Sequence, residues 1–225
     1  MKEIIVWDWP IRLFHWLVVL MFTGLILSGK AEDDYLQWHF YMGYALSTLL
    51  IARVLYGFIG SKYARFSHFI TGPRKIVSYA DSVIKGNKKE YLGHNPLGAM
   101  MVMALIFLLC IQWLTGLVNS DDIFWYGPLY EWVSEDTQTI LSKWHHRLPD
   151  ILLGLVTLHI IAVLFHEIAL KERLVRAMIT GKKRLHSNYQ QTIENEEVAK
   201  TPRLGVVLSL SVSLLWFIWL YSLPI

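Results

Sequence analysis

A single cysteine, Cys110, stands among 225 residues, which excludes an intramolecular disulfide, a C-x-x-C-H attachment motif and an all-cysteine metal cluster. Also missing are a glycine-rich phosphate loop, a zinc-protease helix and a nucleophile elbow, the usual signatures of nucleotide or hydrolytic chemistry. There is no internal repeat and no low-complexity tract. Charged residues make up only 17% of the chain, below the share of an ordinary soluble domain. The net charge of +3 implies no nucleic-acid partner, because the basic residues gather in two short segments that a membrane topology already requires. Anionic lipid headgroups are the natural counterions.

What is abundant is apolar surface, at 54% of residues. Runs of about 18 or more apolar residues cross a hydrocarbon core of roughly 30 Å as helices. Five segments qualify: Leu13 to Ser28 with shoulders, Leu36 to Ile59, Leu97 to Val118, Leu148 to Leu170 and Leu204 to Leu223. None shows the period-two alternation of a membrane barrel. The pattern predicts an all-α integral membrane protein.

Orientation follows from Lys and Arg, which stay on the cytoplasmic side of short loops. Lys62, Arg65, Arg74, Lys75, Lys85, Lys88 and Lys89 lie between the second and third spans, and Lys171, Arg173, Arg176, Lys182, Lys183 and Arg184 follow the fourth. The opposite connections hold Glu32, Asp33 and Asp34, then Asp121, Asp122, Glu131, Glu135 and Asp136. This places the N-terminus in the cytoplasm and the C-terminus in the periplasm of a bacterial inner membrane. The first span reads as a retained anchor, since Glu3 and Asp8 precede it and no small-residue cleavage site follows. Residues 1–184 form one unit, 185–203 a polar cytoplasmic linker and 204–225 an additional span.

Trp7, Trp9, Trp38, Trp125, Tyr126, Trp132, Trp144, Trp219 and Tyr221 fall near the predicted boundaries, as an interfacial aromatic belt does. From Pro73 to Lys89, Ile76, Tyr79, Ala80, Val83 and Ile84 share a helical face among basic residues, which suits a short helix on the membrane surface. Cys110 reads as a small apolar packing residue.

Of nine histidines, His15, His39, His145 and His159 fall within helices, where an ionisable group is costly and usually functional. Any one of them alone could be an interhelical hydrogen-bond donor. His145 and His159 are fourteen residues apart, which puts them within about 40° on one helix face and about 21 Å apart along it. His15 lies near the inner end of the first span and His39 near the outer end of the second. The four therefore sort by depth into His39 with His145 and His15 with His159. Two imidazoles at one depth on different helices are what a bis-histidine b-type haem requires. Gly43, one turn after His39, would let a macrocycle approach the backbone; Gly24, Gly116 and Gly154 are similar candidates, and helix packing competes for each. His166 lies about 20° from His159 on the same face, so helical geometry alone admits it as a ligand, while Glu167 beside it and Lys171 after it favour the interface. His146 points about 100° away from His145, towards a propionate or headgroup. His68, His94 and His186 read as solvated loop residues.

The residues also carry a resemblance. Val6-Trp7-Asp8 with Arg12-Leu13-Phe14-His15-Trp16, Arg53 to Gly60, Gly93-His94-Asn95-Pro96-Leu97-Gly98, Trp144-His145 through Leu158-His159, and Leu174 to Gly181 together resemble the bacterial cytochrome b561 family, including the b-type subunits of membrane hydrogenases. The resemblance spans roughly residues 4 to 184. It implies a four-helix bundle with two haems b, held by His39/His145 and His15/His159, and it prefers His159 to His166. It further implies electron exchange with quinone and with a periplasmic partner, either a c-type cytochrome or a hydrogenase. The tail after the fourth span is more similar to members serving c-type cytochromes. A fifth span without histidine departs from the family and would dock on the bundle or on a partner. A second copy of the chain stands as a further partner.

Arg12, Arg53 and Arg65 lie where the inner haem's propionates or lipid headgroups would meet them. Gln112 could bond a quinone or only a neighbouring helix. Two rival classes are a histidine-lined proton or metal transporter, whose broken helices and repeats are missing here, and a haem enzyme acting directly on ferric iron or superoxide.

Overall fold

A computed structural model describes residues 3–31, 35–86, 91–120, 125–184 and 200–223. Glu32, Asp33, Asp34, Lys88, Lys89, Asp121, Asp122, His186 and most of the expected linker lie outside the described residues. In chain order come β1 (Glu3–Ile5), α1 (Trp9–Ser28), α2 (Leu36–Ile59), α3 (Phe66–Phe69), α4 (Pro73–Ile84), α5 (Pro96–Gly116), α6 (Glu135–Ile168), α7 (Leu174–Thr180), β2 (Lys182–Arg184) and α8 (Arg203–Tyr221). Helices α1, α2, α5, α6 and α8 are long and apolar enough to cross a membrane. They match the five expected segments, with one clear extension. Helix α6 begins at Glu135 and runs 34 residues, because Glu135 and Asp136 in its first turn complement the helix dipole although they depress hydropathy there. Large apolar side chains such as Leu20, Leu27, Phe107, Ile161 and Leu215 stay exposed, as lipid-facing positions should.

The chain forms two compact units. The first comprises Met1–Leu13, Leu55–Met103 and Thr157–Val207. Its core gathers Val6, Trp7, Ile11, Tyr56, Tyr63, Ala64 and Ala177. A two-stranded antiparallel ladder pairs Glu3 with Arg184, Ile4 with Lys183 and Ile5 with Lys182. The sequence pattern gave no sign of it, since three-residue strands are too short to display alternation. The backbone amides of Val6 and Trp7 then both donate to Gly181 O, at 2.8 and 3.1 Å.

Elsewhere in this unit, the Tyr56 hydroxyl donates to the buried Asp8 carboxylate, which gives a polar group in an apolar core the partner it needs. Asn95 caps α5 by accepting from Gly98 N at 2.7 Å, and Pro96 fills the first helical position. His94, expected to be solvated, lies between the rings of Trp7 and Phe69, with centres 4.6 and 4.7 Å away. Trp7 is accordingly a core residue at 8% exposure and no part of an exposed belt, whereas Trp38 and Trp132 are open. The amphipathic α4 forms as the pattern required. Its Tyr79 is buried, with the ring 5.4 Å from that of Tyr91, and Ile84 stays exposed.

The second unit comprises Phe14–Val54, Ala104–Val156 and Leu208–Ile225. Leu46, Leu50, Leu109 and Leu152 form its centre, with Val18, Met21, Phe22 and Leu25 packed on them. Helix α8 docks here through one side-chain hydrogen bond and an apolar contact. Trp216 Nε1 donates to Ser47 Oγ at 3.0 Å, and the Trp113 and Trp216 rings meet edge to face at 5.4 Å. Leu220 is fully buried beside Tyr44 and Leu117.

Gly181 is constrained twice. It adopts a left-handed backbone at φ +79° as the C-cap of α7, and a Cβ there would stand 2.5 Å from Trp7 O. A left-handed non-glycine residue costs about 1–2 kcal/mol, before the clash is added. Gly181→Ala should therefore lower the melting temperature of the purified protein in detergent by at least a few degrees. An unchanged melting curve would contradict this account of the turn.

Candidate haem-binding site

His39 on α2 and His145 on α6 both belong to the second unit, and their ring centres lie 6.2 Å apart at an interplanar angle of 83°. The elements that bring them together are the apolar faces of α2, α5 and α6, joined in the cluster of Leu46, Leu50, Leu109 and Leu152. Two imidazoles on opposite sides of one metal, each nitrogen about 2 Å from it, have ring centres roughly 6 Å apart. The observed separation fits.

The second requirement is tautomeric. A histidine that ligates through Nε2 keeps its proton on Nδ1 and donates it to a fixed acceptor. Both rings have one. His39 Nδ1 is 3.1 Å from Ser28 Oγ, whose own hydrogen is directed to Leu25 O at 3.3 Å. His145 Nδ1 is 3.1 Å from the backbone oxygen of Gln112 and 3.2 Å from Thr115 Oγ1. Each ring is thus gripped at Nδ1 from a neighbouring helix or its end.

Glycine makes room for both rings. A Cβ at Gly116 would stand 2.8 Å from His145 Cε1, and one at Gly29 would stand 3.1 Å from His39 Cε1. Gly24 serves packing, since a Cβ there would meet Met42 Sδ at 2.5 Å. Gly43 and Gly154 differ: a Cβ at either has nothing within 4 Å, and at Gly43, one turn from His39, that space suits a macrocycle. Among the described residues no group of three or more His, Cys, Asp or Glu side chains could hold a metal ion. Two imidazoles with the remaining donors supplied by a porphyrin are what this site's chemistry accommodates.

Ser28, Gly29, Thr115 and Pro149 were missed in the sequence, and Gln112 was left between two roles. A signal existed for two of them. Gln112 and Thr115 are polar residues in an otherwise apolar span, and both lie on the α5 turn that faces His145.

The other expected residues fall elsewhere. His15, half-buried on α1, belongs to the second unit with its ring edge to face with Trp16 at 5.0 Å; His159, half-buried on α6, belongs to the first. Arg12 Nη1 donates to Ile179 O at 2.6 Å, which caps the end of α7. Arg53 is buried at 4% exposure, and Arg65 is exposed at the start of α3. In the first unit His166 Nδ1 faces Glu172 Oε2 at 3.4 Å, and Lys183 Nζ approaches the same oxygen at 3.7 Å. Lys183 also donates to Tyr91 O at 2.6 Å, so this charge cluster ties β2 to the segment after α6.

Burial alone pushes the Glu172 carboxyl up, but the hydrogen bond from His166 and the Lys183 ammonium hold it below its ordinary value of 4.5. Burial, helped by the Glu172 charge and by Tyr91, pushes the nearby Tyr79 hydroxyl up to about 12. A carboxyl held low in the folded state contributes stability that is complete above its unfolded value and is lost as pH falls through the folded one. Thermal unfolding should therefore show a loss of stability below about pH 4.5 that Glu172→Gln reduces. Identical pH dependence in the two proteins would refute the coupling.

With this geometry in hand, the likeness to known proteins can be read. The sequence profile of the family described as prokaryotic cytochrome b561 matches residues 6–181. A probable Ni/Fe-hydrogenase B-type cytochrome subunit of Bradyrhizobium diazoefficiens is 28% identical, over 79% of this chain and 85% of that protein. The similarly named protein of Azotobacter vinelandii is 27% identical, covering 78% of this chain and 86% of its own length. A probable Ni/Fe-hydrogenase 1 B-type cytochrome subunit of Escherichia coli K12 is 22% identical, with coverages of 78% and 88%.

Proposed function

Because the chain belongs to the prokaryotic cytochrome b561 family, we propose that it carries electrons through the membrane between a periplasmic hydrogenase and the quinone pool, on two haems b. Membership itself makes it a multi-pass, haem-containing protein of membrane electron transport. The observation that carries the finer reading is the His39/His145 pair, 6.2 Å between ring centres, with Ser28 Oγ 3.1 Å from one Nδ1 and Gln112 O 3.1 Å from the other.

In this reading His39 and His145 hold one haem and His15 and His159 the other. The first pair is supported by geometry within one unit; the second rests on matched depth in the sequence. Between His159 and His166, the family resemblance favours His159 as the ligand, and Glu167 beside His166 and Lys171 after it favour the interface for His166. A bound haem supplies a one-electron ferric–ferrous couple. The protein's part is to fix the imidazoles, exclude water from them and set their basicity through Ser28, Gln112 and Thr115. Gly43 leaves space for one macrocycle. Arg53, buried and cationic, suits a propionate, with Arg12 and Arg65 as further candidates.

A hydrogenase partner is supported by the names of the three relatives above, in preference to the c-type cytochrome that the tail suggested. The four histidine-bearing spans make up the haem bundle, and α8 is an addition that packs on Ser47 of α2. Basic inner loops support a cytoplasmic N-terminus and a periplasmic C-terminus.

Two expectations follow. Purified protein should hold two non-covalent haems per chain; His39→Ala and His145→Ala should each lose the same redox component, and His15→Ala and His159→Ala the other. A ratio near one, or any other grouping in redox titration, would falsify the assignment. A topology reporter fused after Arg184 should report cytoplasm and one after Ile225 periplasm, and both on one side would refute the fifth crossing.

A further inference from the structure

We propose that Pro149 and Gln112 act as a coupled pair that positions His145 and thereby sets the redox potential of the haem it holds; this rests on the ligand reading above. Pro149 lies inside α6, four residues after His145. Proline has no N–H, so the carbonyl of His145 loses the i+4 donor that an α-helix would give it. In a membrane no water replaces it cheaply. Gln112 Nε2 on α5 donates to this carbonyl at 3.1 Å.

The amide can serve in only one orientation, since its other end, Oε1, would bring an acceptor against an acceptor. The same residue's backbone oxygen lies 3.1 Å from Nδ1 of the His145 ring, placed to accept the proton that a ligand binding through Nε2 keeps on Nδ1, and Gln112 Nε2 itself stands 3.2 Å from that nitrogen. Gln112 thus holds His145 at both main chain and side chain. Thr115 Oγ1 lies 3.2 Å from Nδ1 and bonds Gln112 O at 2.9 Å, which closes a small network on one turn of α5. Gly116, on that turn, leaves the ring its space.

A proline at this position is costly in a helix, and here its effect is specific: it frees the one carbonyl that belongs to a ligand residue. The freed carbonyl anchors the ligand to a second helix. Loss of the anchor lets the ring turn and weakens the Nδ1 hydrogen bond. A ligand with a weaker Nδ1 bond is less basic and stabilises ferric iron less, so the potential of that haem should rise.

The test is a double-mutant cycle on the haem-loaded protein with Gln112→Met, Pro149→Ala and their combination. Haem content, the low-spin electron paramagnetic resonance signal and the midpoint potential of each haem are the readouts. Gln112→Met alone should shift the signal and raise the potential of one haem, the one that His145→Ala abolishes, and leave the other unmoved. Pro149→Ala restores an N–H to the His145 carbonyl. In that background Gln112→Met should therefore have a much smaller effect, and if Gln112→Met alone loses a haem, the combination should regain it. Equal effects of Gln112→Met in both backgrounds, loss of the haem in both, or no shift in either would overturn the coupling. Retention of both haems by His145→Ala would instead overturn the ligand reading.

Discussion

Hydrocarbon offers no hydrogen bonds, so every polar atom in a spanning helix must find its partner on the protein. Much of this structure follows from that constraint. The His39 and His145 rings are costly in a membrane, and each is bound at Nδ1 by a group from a different element, Ser28 at the end of α1 and the Gln112 turn of α5. These bonds fix which nitrogen faces away and so decide what the rings can do. The indole of Trp216 and the hydroxyl of Ser47 solve the same problem by pairing α8 with α2.

The first unit applies the rule to charges. Asp8 is buried and bonded by Tyr56, Arg12 reaches a free carbonyl at the end of α7, and Glu172 is shared by His166 and Lys183. The stretches that carry the family resemblance meet at these places. Val6 to Asp8 touches Tyr56 from the second stretch, His94 from the third and Gly181 from the last. These stretches are thus held together by mutual contact within one unit.

The five spans were legible because unbroken apolar length is a strong signal. The start of α6 was not: hydropathy falls over Glu135 to Asp150 although the helix continues, and Pro149 looks like a boundary when read alone. The β1–β2 ladder was invisible because its strands are three residues long and far apart in sequence. That His39 and His145 come together was legible from depth and spacing. Their partners were not, because a backbone oxygen such as that of Gln112 has no sequence signature, and a glycine that clears space for an imidazole looks like any helix-packing glycine. His94 was misread for a related reason: a loop position says nothing of the aromatic rings that Trp7 and Phe69 bring to it.

The ladder between β1 and β2 also bears on how the protein is made. Glu3 pairs with Arg184, so the first strand to leave the ribosome waits for a partner that emerges some 180 residues later. At typical rates of synthesis that interval is about ten seconds to half a minute. Throughout it Val6, Trp7 and Ile11, all buried in the finished unit, lack Ala177 and the Gly181 carbonyl that complete their surroundings. The segment from Glu3 to Ile11 is therefore among the later parts to be locked in place, since its partners follow the fourth span.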